Sequence, residues 1–264
     1  MKRSRSYELS DPRHRAAEIE RLQAQARVSF AIEQEALVEH GLAERRSLLD
    51  LGCGQASFLS LIAERFPELR CAGADRNEGL LEVARAQPGV SEVARCDIAD
   101  PAALSTVLQR LRPDVVLCRF VLQHMSPPER ARLLATLRAF GATRAILADV
   151  DADQGYFDPP SELLAHAQRK LTELQARLGG DRRIGGKLGA LLREAGFAEV
   201  RESSVAIDSA RTGFSAWWGA FGPVLAAGLL DQPTVRETVL DWGADASTAS
   251  RYRASFPIRY ASAS

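Results

Sequence analysis

Three aspartates and two glycines stand where the sequence could build a ligand site. Asp50, Asp75 and Asp97 each follow a short apolar segment, and Gly52 and Gly54 come within four residues of the first of them. Glycine lets the backbone turn tightly and lets a ligand lie against bare main chain. A helical pattern begins directly after this turn, so its unpaired N–H groups point to the same place. This combination is typical of a site for a nucleotide-like ligand.

The three aspartates suit different groups of such a ligand. Asp75 can accept hydrogen bonds from both hydroxyls of a ribose. Asp97 lies beside the apolar Ile98, and this pair suits an adenine, with an acceptor for the exocyclic amine and an apolar face for the ring. Asp50 disfavours the pyrophosphate of a dinucleotide, because two negative groups would lie at close range. It favours a ligand with an ammonium group and no phosphate, and S-adenosylmethionine is such a ligand.

Two further residues are candidates for acid–base chemistry. His124 follows the fourth predicted strand and could serve as a general base, since the ordinary pKa of histidine suits that role, or it could be held by backbone groups at a helix start. Asp149 ends the fifth predicted strand and could bind an amine or accept a proton, or be a surface residue of a loop. The other histidines, His14, His40 and His166, are expected at the surface.

The elements that must position these residues follow a repeating order. Between about residues 47 and 203, short apolar runs alternate with helical patterns. Such alternation predicts a parallel sheet covered by helices on both faces. We predict an α/β protein with a Rossmann-like, seven-stranded, mostly parallel sheet. The predicted strands are 47–52, 70–75, 92–98, 114–121, 144–150 and 198–207, with a last, antiparallel strand within 254–262.

Additional segments surround this predicted sheet. Residues 1–40 are expected to form an N-terminal helical cap, and residues 41–207 the ligand-binding core. The segment at about 151–185 is too long for a simple connection, so we expect it to form a lid. Residues 208–264 are expected to supply a C-terminal helical insertion and the last strand.

The bulk composition narrows the class of partner. The chain has 264 residues, with 34 Lys and Arg against 34 Asp and Glu, so its formal net charge is zero. Proteins that hold nucleic acid through its phosphates usually show a clear basic excess, so we expect a small-molecule substrate and no nucleic acid. The four cysteines lack metal-ligand spacing, and no metal is expected. We see no signal peptide and no membrane-spanning run, and we expect a cytoplasmic monomer or homodimer with no membrane partner.

The sequence resembles the class I S-adenosylmethionine-dependent methyltransferases of the small-molecule type. The resemblance rests on "LLDLGCG" (48–54), "CAGADRNEGLL" (71–81), "RCDIAD" (95–100) and "PDVVLCRFVLQHMSPPERARLLATLRAF" (113–140), and extends to segments at 7–28 and 184–200. One departure is Ala142–Thr143, where the family commonly has a Pro-Gly-Gly turn.

The resemblance implies roles for eleven residues and a reaction. The methionine end of S-adenosylmethionine would be held by Asp50, Gly52 and Gly54. The ribose would be bound by Asp75, and the adenine by Asp97 and Ile98, with Arg76 over the ring. The sulfonium region would be lined by Arg119, through its backbone, and by Phe120, and the site would be closed by Tyr7 and Gln25.

The expected reaction is transfer of a methyl group to an N, O or C atom of a small molecule, with S-adenosylhomocysteine as product, in bacterial secondary metabolism. The fourth strand is followed by "CRFVLQH", which lacks the Asn-Pro-Pro pattern of adenine and glutamine-amide methylation. Two alternatives stay open at the level of sequence. One is a nicotinamide-dependent oxidoreductase, and the other is a non-catalytic cofactor-binding protein of the same fold.

Overall fold

A computed structural model describes residues 12–141 and 144–264, so Tyr7 and the turn at 142–143 lie outside the described residues. Within them, eight strands form one sheet. The strands are β1 (Ser47–Leu51), β2 (Arg70–Asp75), β3 (Val90–Arg95), β4 (Val115–Arg119), β5 (Arg144–Val150), β6 (Tyr156–Asp158), β7 (Arg201–Asp208) and β8 (Arg253–Ala263).

The order of the strands places the predicted ligand residues at one edge of the sheet. The first five strands are parallel, in the order β3-β2-β1-β4-β5, and β8 runs antiparallel to β5, β6 and β7. The order of the strands changes direction between β1 and β4, because β2 and β3 lie on one side of β1 and β4 and β5 on the other. Open parallel sheets bind ligands at such a switch point, outside the carboxyl ends of their strands. The predicted fold class is confirmed. The short strand β6, within the expected lid, was not predicted and makes the sheet eight-stranded.

Helices cover both faces of the sheet and its carboxyl edge. They are α1 (Pro12–Glu39), α2 (Ser57–Arg65), α3 (Glu78–Ala84), α4 (Pro101–Leu111), α5 (Pro127–Phe140), α6 (Glu162–Arg177), α7 (Leu188–Glu194), α8 (Ser209–Thr212), α9 (Phe214–Ala227), α10 (Pro233–Ala244) and α11 (Ala246–Arg251). Among the residues described, none of these helices combines the length and apolar character that crossing a membrane requires.

Capping residues fix the first residue of two of the helices. Asp100 accepts a hydrogen bond from the backbone N–H of Ala102 at 2.9 Å, and a proline occupies the first position of α4. Ser126 and Glu129 form a capping box at the start of α5. These side chains satisfy N–H groups that have no partner inside the helix, which fixes the starting residue.

The core lies on both faces of the central strands. All five residues of β1 are buried, with Leu48 in the apolar cluster on one face and Leu49 and Leu51 in the cluster on the other. Strands that are covered on both faces have continuous apolar sequences, and this pattern allowed the central strands to be predicted.

The long helix α1 packs on this core beside α2, α9 and β7. Its end is anchored by His40, whose ring nitrogens lie 2.8 Å from the Ser262 hydroxyl and 2.9 Å from the Ser203 hydroxyl. His40 is fully buried, so the prediction of a surface position was wrong. The division of the chain into cap, core and C-terminal segment stays a prediction.

Candidate active site

A cavity of about 1110 Å³ lies at the carboxyl edge of the sheet, between the strand ends and helices α1, α6, α9 and α10. Every predicted cofactor residue within the described part of the chain lines it, and so does His124. These cavity residues are Gln25, Asp50, Gly52, Gly54, Asp75, Arg76, Asp97, Ile98, Arg119, Phe120 and His124.

The glycine turn after β1 is shaped by its neighbours. Gly52 and Gly54 have φ angles of 77° and 56°, in the left-handed region that favours glycine. A Cβ atom on Gly52 would lie 2.4 Å from a methyl carbon of Val121, so any other side chain would require Val121 to move. The turn therefore presents bare backbone to the cavity.

Asp75 holds this turn in place from the end of β2. One of its carboxylate oxygens accepts a hydrogen bond from the Gly54 N–H at 2.9 Å, and the other accepts from the Asn77 N–H at 2.8 Å. A carboxylate oxygen has more than one acceptor site, so both oxygens can also accept from a ligand in the cavity. Sequence reasoning assigned Asp75 to the ribose and missed its contact with the turn.

Asp50 provides a buried acidic group beside the turn. Its side chain is 5% exposed, and burial raises its pKa to about 7, against the opposing charge of Arg119. A cation placed beside this carboxyl group would favour its charged form. Nearby, the Gln55 side-chain oxygen is buried and has no hydrogen-bond partner among the described residues, while its amide nitrogen donates to the Ile19 carbonyl at 2.8 Å. Both groups line the cavity and suit an ammonium ion.

The region expected to take an adenine lies beyond the end of β3. That strand ends at Arg95, so Asp97 lies in the following turn and not at the strand end itself. The Asp97 carboxylate accepts from the Ala99 N–H at 3.1 Å. Ile98 is 8% exposed, and Met125 lines the same region of the cavity. The combination of one carboxylate with apolar side chains is what an adenine ring requires.

Arg119 enters the site through its side chain and not only through its backbone. Its guanidinium donates two hydrogen bonds to Glu33 of α1, at 2.6 and 2.9 Å, and lies 3.9 Å from the ring centroid of Phe58 and 4.0 Å from that of Phe120. The Tyr260 hydroxyl donates to the same Glu33 carboxylate. Glu33 is fully buried, and the ion pair joins helix α1 to the end of β4.

Glu33 was missed by sequence reasoning, although the sequence carries a signal for it. It shares one face of α1 with Phe30, Leu37 and His40, at helical spacing. An acidic residue in an apolar stripe indicates a buried partner, because an unpaired buried charge is costly. The identity of that partner could not be read from the sequence, because Arg119 lies 86 residues away.

Asp149 does not contact the cavity. Its side chain is fully buried, and its oxygens accept from the Gln123 N–H at 3.0 Å and the Val150 N–H at 2.9 Å. Burial raises its pKa to about 7, opposed by these backbone hydrogen bonds. Its contacts hold the short turn of helix at Leu122–His124 against the end of β5.

His124 lines the cavity in a defined orientation. The Gln175 amide nitrogen lies 2.8 Å from its Nδ1 and 2.9 Å from the Gln123 carbonyl oxygen, so this amide group is the donor to both. Nδ1 is then an acceptor, which places the proton of the neutral ring on Nε2. Burial lowers the pKa of His124 to about 4, with the charges of Arg182 and Arg76 acting in the same direction. The ring is therefore neutral at physiological pH.

A second wall of the cavity comes from the last residue of β5 and from residues that follow it in the chain. We call it the lid wall, and it consists of the cavity-lining residues from Val150 onward. Aromatic and aliphatic side chains make up most of it, including Tyr156, Phe157, Leu174, Trp217, Phe221 and Phe256.

The doubly wound sheet, the braced glycine turn and the strand-end carboxylates form the arrangement that the resemblance to class I S-adenosylmethionine-dependent methyltransferases led us to expect. Comparison with known proteins agrees with this geometry. Residues 48–141 match the family model described as "Methyltransferase domain". This match supports the resemblance to the class I S-adenosylmethionine-dependent methyltransferases seen in the sequence.

Relatives are found among named enzymes. Trans-aconitate 2-methyltransferase of Methylobacterium radiotolerans is 31% identical over 170 residues, covering 64% of this chain and 61% of the relative. The enzyme of the same name from Variovorax paradoxus is 32% identical over 115 residues, covering 44% of this chain and 42% of the relative. The chain spans less than two thirds of the length of these curated relatives.

A solved structure shares the fold. The structure of PigF with SAH is 18% identical and has a TM-score of 0.50, covering 69% of this chain and 52% of that chain. At this identity, the similarity supports the fold alone.

Proposed function

We propose that this protein is an enzyme that transfers a methyl group from S-adenosylmethionine to an N, O or C atom of a small organic molecule, with S-adenosylhomocysteine as product. The observation that carries the proposal is the acceptor-rich corner beside the glycine turn, where buried Asp50 and Gln55 line the cavity and the Gln55 side-chain oxygen has no hydrogen-bond partner among the described residues. These groups suit an ammonium ion and would repel a pyrophosphate.

The residues present fit the cofactor along its length. Asp50, Gln55 and the glycine turn would bind the methionine end, Asp75 the ribose hydroxyls, and Asp97 with Ile98 the adenine. Arg76, Phe120 and Gln25 line the cavity near these groups and would complete the site. When bound, S-adenosylmethionine supplies a methyl group that its positive sulfur already makes electrophilic.

The remaining work of the protein is to align the substrate and exclude water. Holding two reactants in a near-attack pose can supply roughly 7–11 kcal/mol of the barrier reduction. His124, neutral and with Nδ1 accepting from Gln175, is proposed to contact the substrate as a hydrogen-bond donor through Nε2. Asp149 is proposed as a positioning residue, because it fixes the backbone that carries His124. An acceptor that is already nucleophilic, such as a carboxylate, an amine or an enolate, needs no strong base in this site.

The setting of the reaction also belongs to the proposal. The even balance of charge supports a small-molecule substrate, and the names of the relatives point to one as well. The four cysteines are free in the structure, as expected for a cytoplasmic protein. We place the enzyme in bacterial secondary metabolism, because the cavity has room for an acceptor larger than a small primary metabolite.

Calorimetric titration tests the proposal directly. We expect S-adenosylhomocysteine to bind and NAD not to bind. Binding of NAD without S-adenosylhomocysteine would instead indicate an oxidoreductase. Incubation with S-adenosylmethionine and fractions of small molecules from a bacterial lysate should yield S-adenosylhomocysteine. Cofactor binding without product in any fraction would indicate a non-catalytic protein of the same fold.

A further inference from the structure

Resting on the proposed function, we propose that the acceptor substrate is an amphipathic organic anion, with an apolar body of aromatic-ring size and one acidic group bound by Arg236. The relatives described above are named for trans-aconitate, a small molecule with three carboxylates. Three features favour a different class of acid. They are the size of the cavity, the apolar lining of the lid wall and the distribution of charge around the cavity.

The first reason is the size of the cavity. Pockets that hold a drug-sized ligand have volumes of roughly 300–1,000 Å³. The cavity of about 1110 Å³ exceeds this range, so it has room for a second molecule beside the cofactor. A small polycarboxylate would leave much of this space to water.

The second reason is the apolar lining of the lid wall. Four of its rings pack against one another, with centroid distances of 6.0 Å for Phe157 and Trp217, 5.9 Å for Trp217 and Phe256, and 4.6 Å for Phe221 and Phe256. The Trp217 indole N–H donates to the Ile207 carbonyl at 2.9 Å, so its donor is already used. This wall offers mainly apolar contact and aromatic edges, and its polar side chains are too few to suit a molecule whose surface is mostly carboxylate.

The third reason is the distribution of charge around the cavity. The acidic residues that line the cavity all precede β5 in the chain, near the glycine turn, the strand ends and the cap. They are Glu18, Asp50, Asp75, Asp97 and Glu129. Among the described residues of the lid wall, the charged ones are Arg182 and Arg236. The side of the cavity that remains for the acceptor is thus apolar and cationic.

Arg236 is the residue of this pair whose side chain makes no hydrogen bond or ion pair with the described residues. Its side chain extends from α10 to the cavity, and its Nε is buried without a hydrogen-bond partner among the described residues. Arg182, by contrast, donates to the Gln123 side-chain oxygen at 3.1 Å. A guanidinium group binds a carboxylate or sulfonate through two parallel hydrogen bonds, and no side-chain partner among the described residues competes for those of Arg236.

A pair of fluorescent probes separates the two parts of this proposal. 8-Anilinonaphthalene-1-sulfonate and N-phenyl-1-naphthylamine share the same rings, and only the first carries an acidic group. Both are titrated into the protein saturated with S-adenosylhomocysteine. We expect both to bind in the cavity, and the sulfonate to bind at least about tenfold more tightly, as a charged hydrogen bond implies. Equal affinity of the wild-type protein for both probes would overturn the role of an anionic group without relying on any variant.

Variants then locate the anionic group. Arg236→Gln should weaken binding of the sulfonate at least about tenfold and leave the uncharged probe within about twofold, while Arg236→Lys should restore part of the loss. Arg211→Gln, an exposed arginine outside the cavity, is the matched control and should change neither affinity. A loss that is the same for both probes, or the same in the control, would contradict the assignment to Arg236.

Competition with trans-aconitate tests the class of acid. We expect trans-aconitate not to displace the sulfonate probe at equal concentration. If it displaces the probe and is itself methylated, the substrate is a polycarboxylate and the proposal is overturned. Calorimetry on the same samples measures binding of S-adenosylhomocysteine. It distinguishes failure of this inference from failure of the proposed function. If S-adenosylhomocysteine binds while the probes fail, this inference alone is wrong, whereas failure of S-adenosylhomocysteine to bind removes the proposed function.

Discussion

The two halves of the cavity are built in different ways. The half at the strand ends consists of short turns whose polar groups are fixed by hydrogen bonds, as Asp75 fixes Gly54. The lid wall consists of side chains from α6, α9, α10 and β8 that pack on one another, and its polar groups are few. The difference shows how one protein can hold a constant cofactor by directed hydrogen bonds and a particular substrate by shape and apolar contact.

The largest expected effect concerns the ion pair that joins the cap to the strand ends. Glu33→Gln removes the hydrogen-bonded counter-charge of the buried Arg119 guanidinium, which should lower the free energy of unfolding by about 3–5 kcal/mol. Urea denaturation measures this loss. Glu35→Gln, at an exposed position of the same helix, is the control and should be nearly neutral. An equal, small change in both variants would show that α1 is held by its apolar contacts alone.

The second effect concerns the half of the cavity at the strand ends and its affinity for the cofactor. Asp75→Ala removes both the ribose acceptor and the hydrogen bond to the glycine turn, so affinity for S-adenosylhomocysteine should fall about 100-fold or more. Calorimetry measures the affinity, and the exposed Asp241→Ala serves as control. Unchanged affinity in Asp75→Ala would mean that the cofactor does not bind at the end of β2.

The third effect is a dependence of cofactor affinity on pH. The pKa of Asp50 is raised to about 7 by burial, and only its ionised form attracts an ammonium ion. Binding therefore favours the deprotonated group, and affinity is greatest above pH 7 and falls as the pH drops below it. Between pH 8 and pH 6 we expect a loss of about tenfold, or about 1.4 kcal/mol. Asp50→Asn should bind weakly with a flat profile, and a flat profile in the wild-type protein would rule out this role of Asp50.

The smallest effect belongs to the lid wall. Phe256→Leu removes the ring that packs 4.6 Å from Phe221 and should weaken binding of N-phenyl-1-naphthylamine about threefold to tenfold. Affinity for S-adenosylhomocysteine should stay within about twofold. Fluorescence and calorimetric titrations give the two values, with Phe66→Leu, outside the cavity, as control. Equal losses for both ligands would show that the two halves are coupled.

The sequence allowed prediction of the sheet and of the cofactor half, because both depend on local patterns. Asp100 and Pro101 mark the start of helix α4 in the sequence itself, and the aspartates beside the glycine turn indicated the kind of ligand. The match to the methyltransferase family confirms that interpretation of the fold. The individual site residues stay predictions until binding is measured.

What could not be predicted depends on contacts between distant parts of the chain. Strand β6 has three residues, too few for an alternation of apolar and polar positions to be seen, and it forms only because β8 extends past β5. The surface position expected for His40 was wrong because its two serine partners lie 163 and 222 residues away. The unpartnered nitrogen of Arg236 likewise results from the packing of α10, and the sequence around it carries no mark of a ligand.

The Glu33 carboxylate has consequences for the order in which the chain can assemble. Its partners Arg119 and Tyr260 lie 86 and 227 residues further along. During synthesis, α1 leaves the ribosome long before the strand that carries Tyr260 exists, so the complete network cannot form until nearly the whole chain has been made. We therefore expect stable docking of α1 to be a late step of folding, which would leave the cofactor half open on one side until the lid wall is in place.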